Sequence, residues 1–447
     1  MRSAVLRRSF RKDFPSAVRG EGVYVWDADG NRYLDLAGSA AVNLIGHGVP
    51  EISAAMAEQA SKLEFVHTSQ FTTPVAEEYA QELLAFAGEH FQEGAVYFTS
   101  GGSESVETAL KLARQYQVEV GQPKRHQILS RQQSYHGSTL GALSVSGNKR
   151  RREMYLPMVR EFAHIGMPYC YRCGFDCTDG CRNCGQQYAA ELERAIESVN
   201  GEAAAFIFEP LSGATLGAVV PPPGYLQSIA EIGRHHGVLL IADEVMTGMG
   251  RTGRNFAVDH WDVKPDILIA AKGLSSGYAP LGGVIASKKV VDAIAAGSGA
   301  FLHGFTYNAH PISLAAGRAV LRYLRSKKLV EAADSERAGS AAANFKGAVQ
   351  ALREEKSVGD VRGLGLLWAV EFVADKESKR PFPAEQSFSA RVGAAALKRG
   401  LLVYPMQGSV DGLAGDHLLL APPAVITAGQ IDWSVRQLAE AIGEIQP

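Results

Sequence analysis

Val238-Leu239-Leu240-Ile241-Ala242-Asp243-Glu244 runs five apolar residues straight into two carboxylates, and Ile267-Leu268-Ile269-Ala270-Ala271-Lys272-Gly273 repeats the pattern with an amine. Short runs that are apolar at every position predict strands covered on both faces, the signature of a parallel sheet with crossover helices. Working outward, runs of the same kind stand at 95–98, 128–129, 205–208 and 284–286, separated by helical segments. The stretch from about 95 to 290 therefore reads as one α/β unit with a mostly parallel sheet flanked by helices.

Upstream, Val23-Tyr24-Val25-Trp26 and Tyr33-Leu34-Asp35-Leu36 flank the turn residues Asp27-Ala28-Asp29-Gly30-Asn31, which predicts a hairpin. Downstream of about 330 the chain becomes rich in Ala and charge, with strands expected at 364–373 and 401–404. The expected organisation is a large domain over 61–329 and a smaller α+β domain assembled from 1–60 and 330–447. A chain of 447 residues has ample length for both.

Composition narrows the function. Hydrophobic residues make up 46% and charged residues 21%, which fits a globular protein and neither disorder nor coiled coil. Lys and Arg (45) nearly balance Asp and Glu (47), leaving no electrostatic case for nucleic acid or an anionic membrane, so the expected partner is a small molecule. Residues 1–20 are Arg-rich but lack the apolar stretch of a secretory signal, and no later stretch is long and apolar enough to span a bilayer. A cytoplasmic enzyme is expected, with an organellar targeting peptide as the alternative.

In open α/β sheets ligands bind beyond the carboxyl ends of the strands. Here those ends carry Thr99-Ser100-Gly101-Gly102-Ser103-Glu104, Ser134-Tyr135-His136-Gly137, Glu209-Pro210, Asp243-Glu244-Val245 and Lys272-Gly273. After Gly101-Gly102, the spacing of Val106, Ala109, Leu110 and Ala113 predicts a buried helix face. A strand, a Gly/Ser turn and a helix N-terminus make a phosphate site, or a plain structural turn. A carboxylate such as Asp243 after an apolar strand is costly to bury unless it meets a cation, for example a protonated pyridine nitrogen. An amine in the position of Lys272 would be shifted toward its neutral, nucleophilic form. The structural alternative for both is a buried ion pair, including one between the two. Gly248-Met249-Gly250-Arg251-Thr252-Gly253 matches G-x-G-x-x-G formally, but it follows the strand too late and opens no helical pattern, so it is not read as a dinucleotide motif.

Together these residues resemble the class III aminotransferases, the ω-amino acid and amine:pyruvate type among fold type I pyridoxal phosphate (PLP) enzymes. The most specific stretches are 241–253, then Ala271-Lys272-Gly273, then His303-Gly304-Phe305-Thr306-Tyr307-Asn308-Ala309-His310-Pro311. The resemblance implies PLP held as a Schiff base on Lys272, Asp243 paired with the pyridinium nitrogen, and Tyr135 and Val245 on the two ring faces. It also implies Gly102 and Ser103 at the phosphate, Glu209 supporting the Asp243 side, and a homodimer in which Thr306 reaches the neighbouring subunit's phosphate. The reaction it implies is ping-pong transfer of an amino group from an amine or ω-amino acid donor to an oxo acid such as pyruvate. The rivals are a PLP decarboxylase or aminomutase on the same scaffold, and a non-catalytic protein of the same fold.

Departures from the family bear on the substrate. Relatives acting on ornithine-type or γ-amino acid substrates have an Arg two residues before Ala-Pro-Pro and a Glu that pairs with it, whereas Leu419 and Ala214 stand at those positions. The mobile acceptor-binding Arg of amine:pyruvate relatives has no counterpart in 411–414, and Ala40 and Ala41 replace a bulky aromatic. The cation for the acceptor carboxylate is left unassigned. All five cysteines, Cys170, Cys173, Cys177, Cys181 and Cys184, lie in one segment. Their C-x2-C pairs fit either a zinc site or a structural loop with free or bridged thiols, so no metal ligand is assigned. His235-His236 before Gly237 reads as a helix C-terminus.

Overall fold

Ala203–Phe208 and Leu239–Asp243 are buried at every position, because each strand is covered by helices on one side and by the rest of the chain on the other. The computed structural model describes residues 4–10, 12–175 and 183–445. Its central sheet has seven strands in the order Ala95–Thr99, Gly282–Ala286, Ile267–Ala270, Leu239–Asp243, Ala203–Phe208, Gln127–Arg131 and His164–Ile165. Every neighbouring pair is parallel except those of Gly282–Ala286, which runs antiparallel to both its neighbours. This is the mostly parallel sheet expected from the apolar runs, with one antiparallel strand that they did not foretell.

The helix Gly102–Glu119 buries Val106, Ala109 and Ala113 as the spacing predicted, but Leu112 and Tyr116 complete the stripe and Leu110 stays only partly covered. The helix Tyr225–His236 ends at Gly237 in the left-handed region (φ 63°), which accounts for the His235-His236 pair.

The predicted hairpin is Tyr24–Asp27 and Arg32–Asp35, closed by the Asp27 carboxylate, which accepts from the Asn31 N–H (2.8 Å) and the Tyr33 hydroxyl (2.7 Å). Ala17–Glu21 adds to one edge, and Leu401–Leu402 adds in parallel to the other, so both ends of the chain share one sheet. Two strand expectations need correction. The strand expected over 364–373 is present as Leu367–Phe372 but begins later, because Leu364 ends a preceding, unanticipated strand, Val358–Leu364, and the chain turns at Gly365 (φ 61°), where any Cβ would stand 2.5 Å from the Thr252 backbone. The run 401–404 divides between two sheets, with Tyr404–Gln407 pairing instead with the unanticipated strand Asp416–Leu420.

The glycine-rich turn 248–253 ties these parts together. Gly253 (φ 86°) lies so close to residues 333–334 that a Cβ would clash with backbone. Arg251 is fully buried and donates to the carbonyls of Ala421 (3.1 Å), Pro422 (2.6 Å) and Asn43 (2.8 Å). One side chain from the central unit thus fixes segments near both ends of the sequence. Arg251→Ala would strand three buried carbonyls and is expected to cost roughly 3 kcal/mol or more. The check is the urea midpoint at constant m, and an unchanged midpoint would count against the tie.

Candidate active site

Beyond the carboxyl ends of the strands lies a cavity of about 500 Å³, walled by Ser100, Gly102, Ser103, Tyr135, Glu209, Asp243, Val245 and Lys272 among others. The structure therefore brings together every residue to which the family resemblance gave a catalytic or cofactor-binding role except Thr306. That residue is exposed on the single chain, in the segment before the helix Pro311–Ser326, and is not part of the cavity wall.

Gly102 opens an 18-residue helix, and no described residue accepts the N–H groups of Gly102 and Ser103. Those donors and the helix dipole face an anion-sized space. The neighbourhood is close-packed around glycine: a Cβ on Gly102 would meet the Val245 side chain at 3.2 Å, and one on Gly137 (φ 143°) would meet the Ser103 hydroxyl at 2.6 Å. Ser103 Oγ accepts from the Ser138 N–H at 3.0 Å, which fixes the second turn to the first.

Asp243 ends its strand 5% exposed, with one oxygen accepting from the Val245 N–H (3.1 Å) and the other 2.7 Å from Nδ1 of His136. Among the described residues no Lys or Arg pairs with it, so the alternative of an Asp243–Lys272 ion pair is not realised. A carboxylate so placed calls for a cationic ligand group, which a protonated ring nitrogen satisfies. His136 is fully buried and its Nε2 has no partner. Sequence reasoning quoted this histidine without giving it a task; its position beside Tyr135 in the same strand-end turn was the available signal.

Lys272 follows its strand with a left-handed backbone (φ 41°) that turns the chain sharply. Burial drives its amine down to about 8, against the opposing pull of Asp243 and Glu209. Glu209 is buried, accepts from the Gly213 N–H (3.0 Å) and the Tyr135 N–H (3.4 Å), and is pushed up by burial. The segment 275–281 after Lys272, including Tyr278 and Pro280, also lines the cavity and was missed, having no charged residue to draw notice. Leu419 and Ala214, the positions lacking a carboxylate clamp, sit in one apolar cluster with Ala41 and Leu211.

The cofactor fit is good on each count: unclaimed N–H donors for a phosphate, a buried carboxylate without a cation, and a buried amine shifted toward neutrality. Residues 9–442 match the family "Aminotransferase class-III". The chain belongs to the class III aminotransferases. It is 38% identical to the uncharacterised aminotransferase YodT of Bacillus subtilis over all of this chain and 99% of that one. It is 35% identical to the putrescine–pyruvate aminotransferase of Pseudomonas aeruginosa, over 93% and 87% of the two chains. The fold superposes on a thermostable (S)-enantioselective ω-transaminase from Thermomicrobium roseum with a TM-score of 0.89 at 39% identity, covering 97% of this chain and 93% of that one. As a member of this family the aminotransferase depends on PLP, and its substrates are small amines and oxo acids.

Of the cysteines, Cys170 and Cys184 bring their sulfurs to 3.9 Å, and the Tyr188 hydroxyl donates to Cys173 Sγ at 3.6 Å. Cys177 and Cys181 lie outside the described residues, and among the described residues no metal-ligand cluster forms. No helix of the described residues is long and apolar enough to cross a membrane.

The shifted amine predicts how the apoenzyme captures PLP, since only the neutral form attacks an aldehyde. With a value near 8, roughly a tenth of the amine is neutral at pH 7, against about one part in 3,000 for an ordinary lysine. Capture followed by stopped-flow absorbance should therefore accelerate up to about pH 8 and then level off. A rate still climbing tenfold per pH unit above pH 9 would refute the shift.

Proposed function

We propose that this enzyme transfers the amino group of an amine or ω-amino acid to an oxo acid such as pyruvate, the two substrates using one cavity in turn. The observation carrying this reading is a buried, readily neutral Lys272 amine in the same cavity as the cation-seeking carboxylate of Asp243. PLP supplies an aldehyde to receive the amino group and a protonated ring that draws electrons from the reacting carbon.

The chain's own residues then take the following tasks. Lys272 Nζ would hold the aldehyde and, with its amine near neutrality, would serve as the base that carries a proton to and from the reacting carbon. Asp243 holds the proton on the ring nitrogen, and His136, 2.7 Å away, orients that carboxylate. The Gly102 and Ser103 N–H groups bind the phosphate, Tyr135 and Val245 confine the ring, and Glu209 supports the Asp243 side. In the second half the oxo acid enters the same space and the proton moves on Nζ in the reverse sense.

Homodimerisation is part of the proposal, with Thr306 completing the partner's phosphate site. Support comes from the exposed apolar side chains near it, Leu302 (80%), Phe71 (63%) and Tyr307 (60%). The division at about 60 and 329 and the cytoplasmic setting belong to the same reading. The apolar cluster around Leu419 and Ala214 favours donors without a carboxylate beside the reacting carbon. The putrescine–pyruvate relative points the same way.

A panel of diamines, ω-amino acids and aryl amines should bleach the absorption of the bound cofactor, and pyruvate should restore it. If no amine bleaches it, the transaminase reading is withdrawn. Lys272→Ala should leave no pyridoxyl adduct after borohydride reduction, by mass spectrometry. Asp243→Asn should retain cofactor but lose roughly 10²- to 10³-fold in kcat; near-normal turnover would reject its role. Light scattering should give a dimer, and a monomer that turns over normally would reject the shared Thr306.

A further inference from the structure

Residues 38–41 adopt a backbone that L-amino acids avoid. Gly38 (φ 53°), Ser39 (φ 50°, ψ 53°), Ala40 (φ 67°, ψ 44°) and Ala41 (φ 59°) all lie in the left-handed region. They make one left-handed turn, in which the Ala41 N–H donates to the Ala37 carbonyl (2.9 Å) and the Val42 N–H to the Gly38 carbonyl (2.8 Å). Left-handed residues other than glycine are costly and occur singly rather than in series, because Cβ crowds the following carbonyl oxygen. A run such as Ser39-Ala40-Ala41 persists only where its surroundings over-determine it, and strain of this kind gathers at functional sites.

The fold holds the turn at its start, middle and end. Gly38 lies against the Ala421 carbonyl so closely that no side chain fits there. Asp35, fully buried, accepts from the Ser39 N–H (3.0 Å) and the Ser39 hydroxyl (2.8 Å) and also meets His47 Nε2 (3.2 Å). Just past the turn, Arg251 binds the Asn43 carbonyl (2.8 Å). Of these, Asp35 alone bonds a strained residue other than glycine. What the turn delivers is Val42, which lines the cavity containing Lys272 and lies so near Gly277 that a Cβ there would stand 3.2 Å from Val42 Cγ1. Ala41 joins the apolar cluster with Leu211 and Ala214, which line the same cavity. A right-handed turn would redirect both side chains away from this wall.

We propose that Asp35 is a positioning residue for the amine donor: by clamping Ser39 it keeps 38–41 left-handed and so holds Val42 on the wall against which an apolar group of the donor packs. The role deepens the transaminase reading above and rests on it. Asp35 is not part of the cavity wall, so it sets donor affinity and leaves the chemical step alone.

The test follows bleaching of the holoenzyme by benzylamine in a single turnover, against amine concentration, in the wild type, Asp35→Asn, Ala40→Gly and the double variant. Asp35→Asn should raise the half-saturating concentration roughly 3- to 10-fold with the limiting rate within about twofold, because the wall is then in place only part of the time. Glycine enters the left-handed region freely, so Ala40→Gly alone should leave both constants near those of the wild type and, added to Asp35→Asn, should restore most of the lost affinity. Hydrogen exchange of the Ala41 and Val42 N–H groups in the holoenzyme should quicken in Asp35→Asn and slow again in the double variant. Unchanged affinity in Asp35→Asn, or a loss that Ala40→Gly does not rescue, would overturn the assignment. Should Asp35→Asn fail to fold, Ser39→Ala, at an exposed position, takes its place with the same expected direction and the same rescue. If benzylamine does not bleach the wild type, the apolar-donor assignment fails, and if no amine does, the transaminase reading fails. In either case hydrogen exchange alone decides the clamp, and unchanged protection in Asp35→Asn overturns it.

Discussion

A carboxylate at the end of a strand with no exposed residue is costly to bury unless something answers its charge. The chain gives Asp243 only two partial answers, the Val245 N–H and the His136 ring, and neither equals a paired lysine or arginine. The remaining features of the site are arranged around that deficit. The neighbouring strand contributes an amine that burial moves toward neutrality rather than a fixed counter-charge. The strand Ala95–Thr99 ends in a turn with unclaimed N–H donors. Each of these is unfavourable, or merely idle, in the bare protein, and they become mutually consistent when one zwitterionic aromatic ligand spans all three.

The central sheet was legible because strands covered on both faces favour unbroken apolar runs, and five of its seven strands carry one, while Gln127–Arg131 keeps Ile128 and Leu129 alone. The seventh, His164–Ile165, is two residues long and leaves no pattern to detect. Outside that sheet the signal weakened for a physical reason. A run such as 364–373 looks continuous in hydropathy, while the requirement that breaks it, the closeness of Gly365 to Thr252, comes from a contact over a hundred residues away. In the site, charged residues after apolar strands announced themselves. His136 did not, because an aspartate's need for an imidazole partner becomes visible only once the fold brings together a loop and a strand end that have Ala203–Phe208 between their strands. The uncharged segment 275–281 was silent for the same reason, and the outlying Thr306 has no counterpart within one chain to explain it.

The arginines near the site show how one residue type is divided among tasks by its surroundings. Arg251 is surrounded by carbonyls and serves as a strut; Arg131 is buried against the Glu209 backbone; Arg362 is locked between Asp360 and Glu371. Each has its hydrogen-bonding capacity taken up by the fold, as buried guanidinium groups require.

The reversed strand Gly282–Ala286 has a consequence of its own. Because it runs against its neighbours, the chain leaves Ile267–Ala270, forms the cavity wall over 272–281 and returns into the sheet with one short 3-10 turn, Lys272–Leu274, and no α-helix between. This arch is anchored at both feet in rigid strands and tied along its span to the segment 44–49, the Leu44 N–H donating to Ser276 Oγ (2.8 Å) and the Val49 N–H to the Tyr278 hydroxyl (2.7 Å). The outline of what the cavity admits is therefore set jointly by one uncharged stretch and the N-terminal segment bonded to it, so that a change in either is felt by the other.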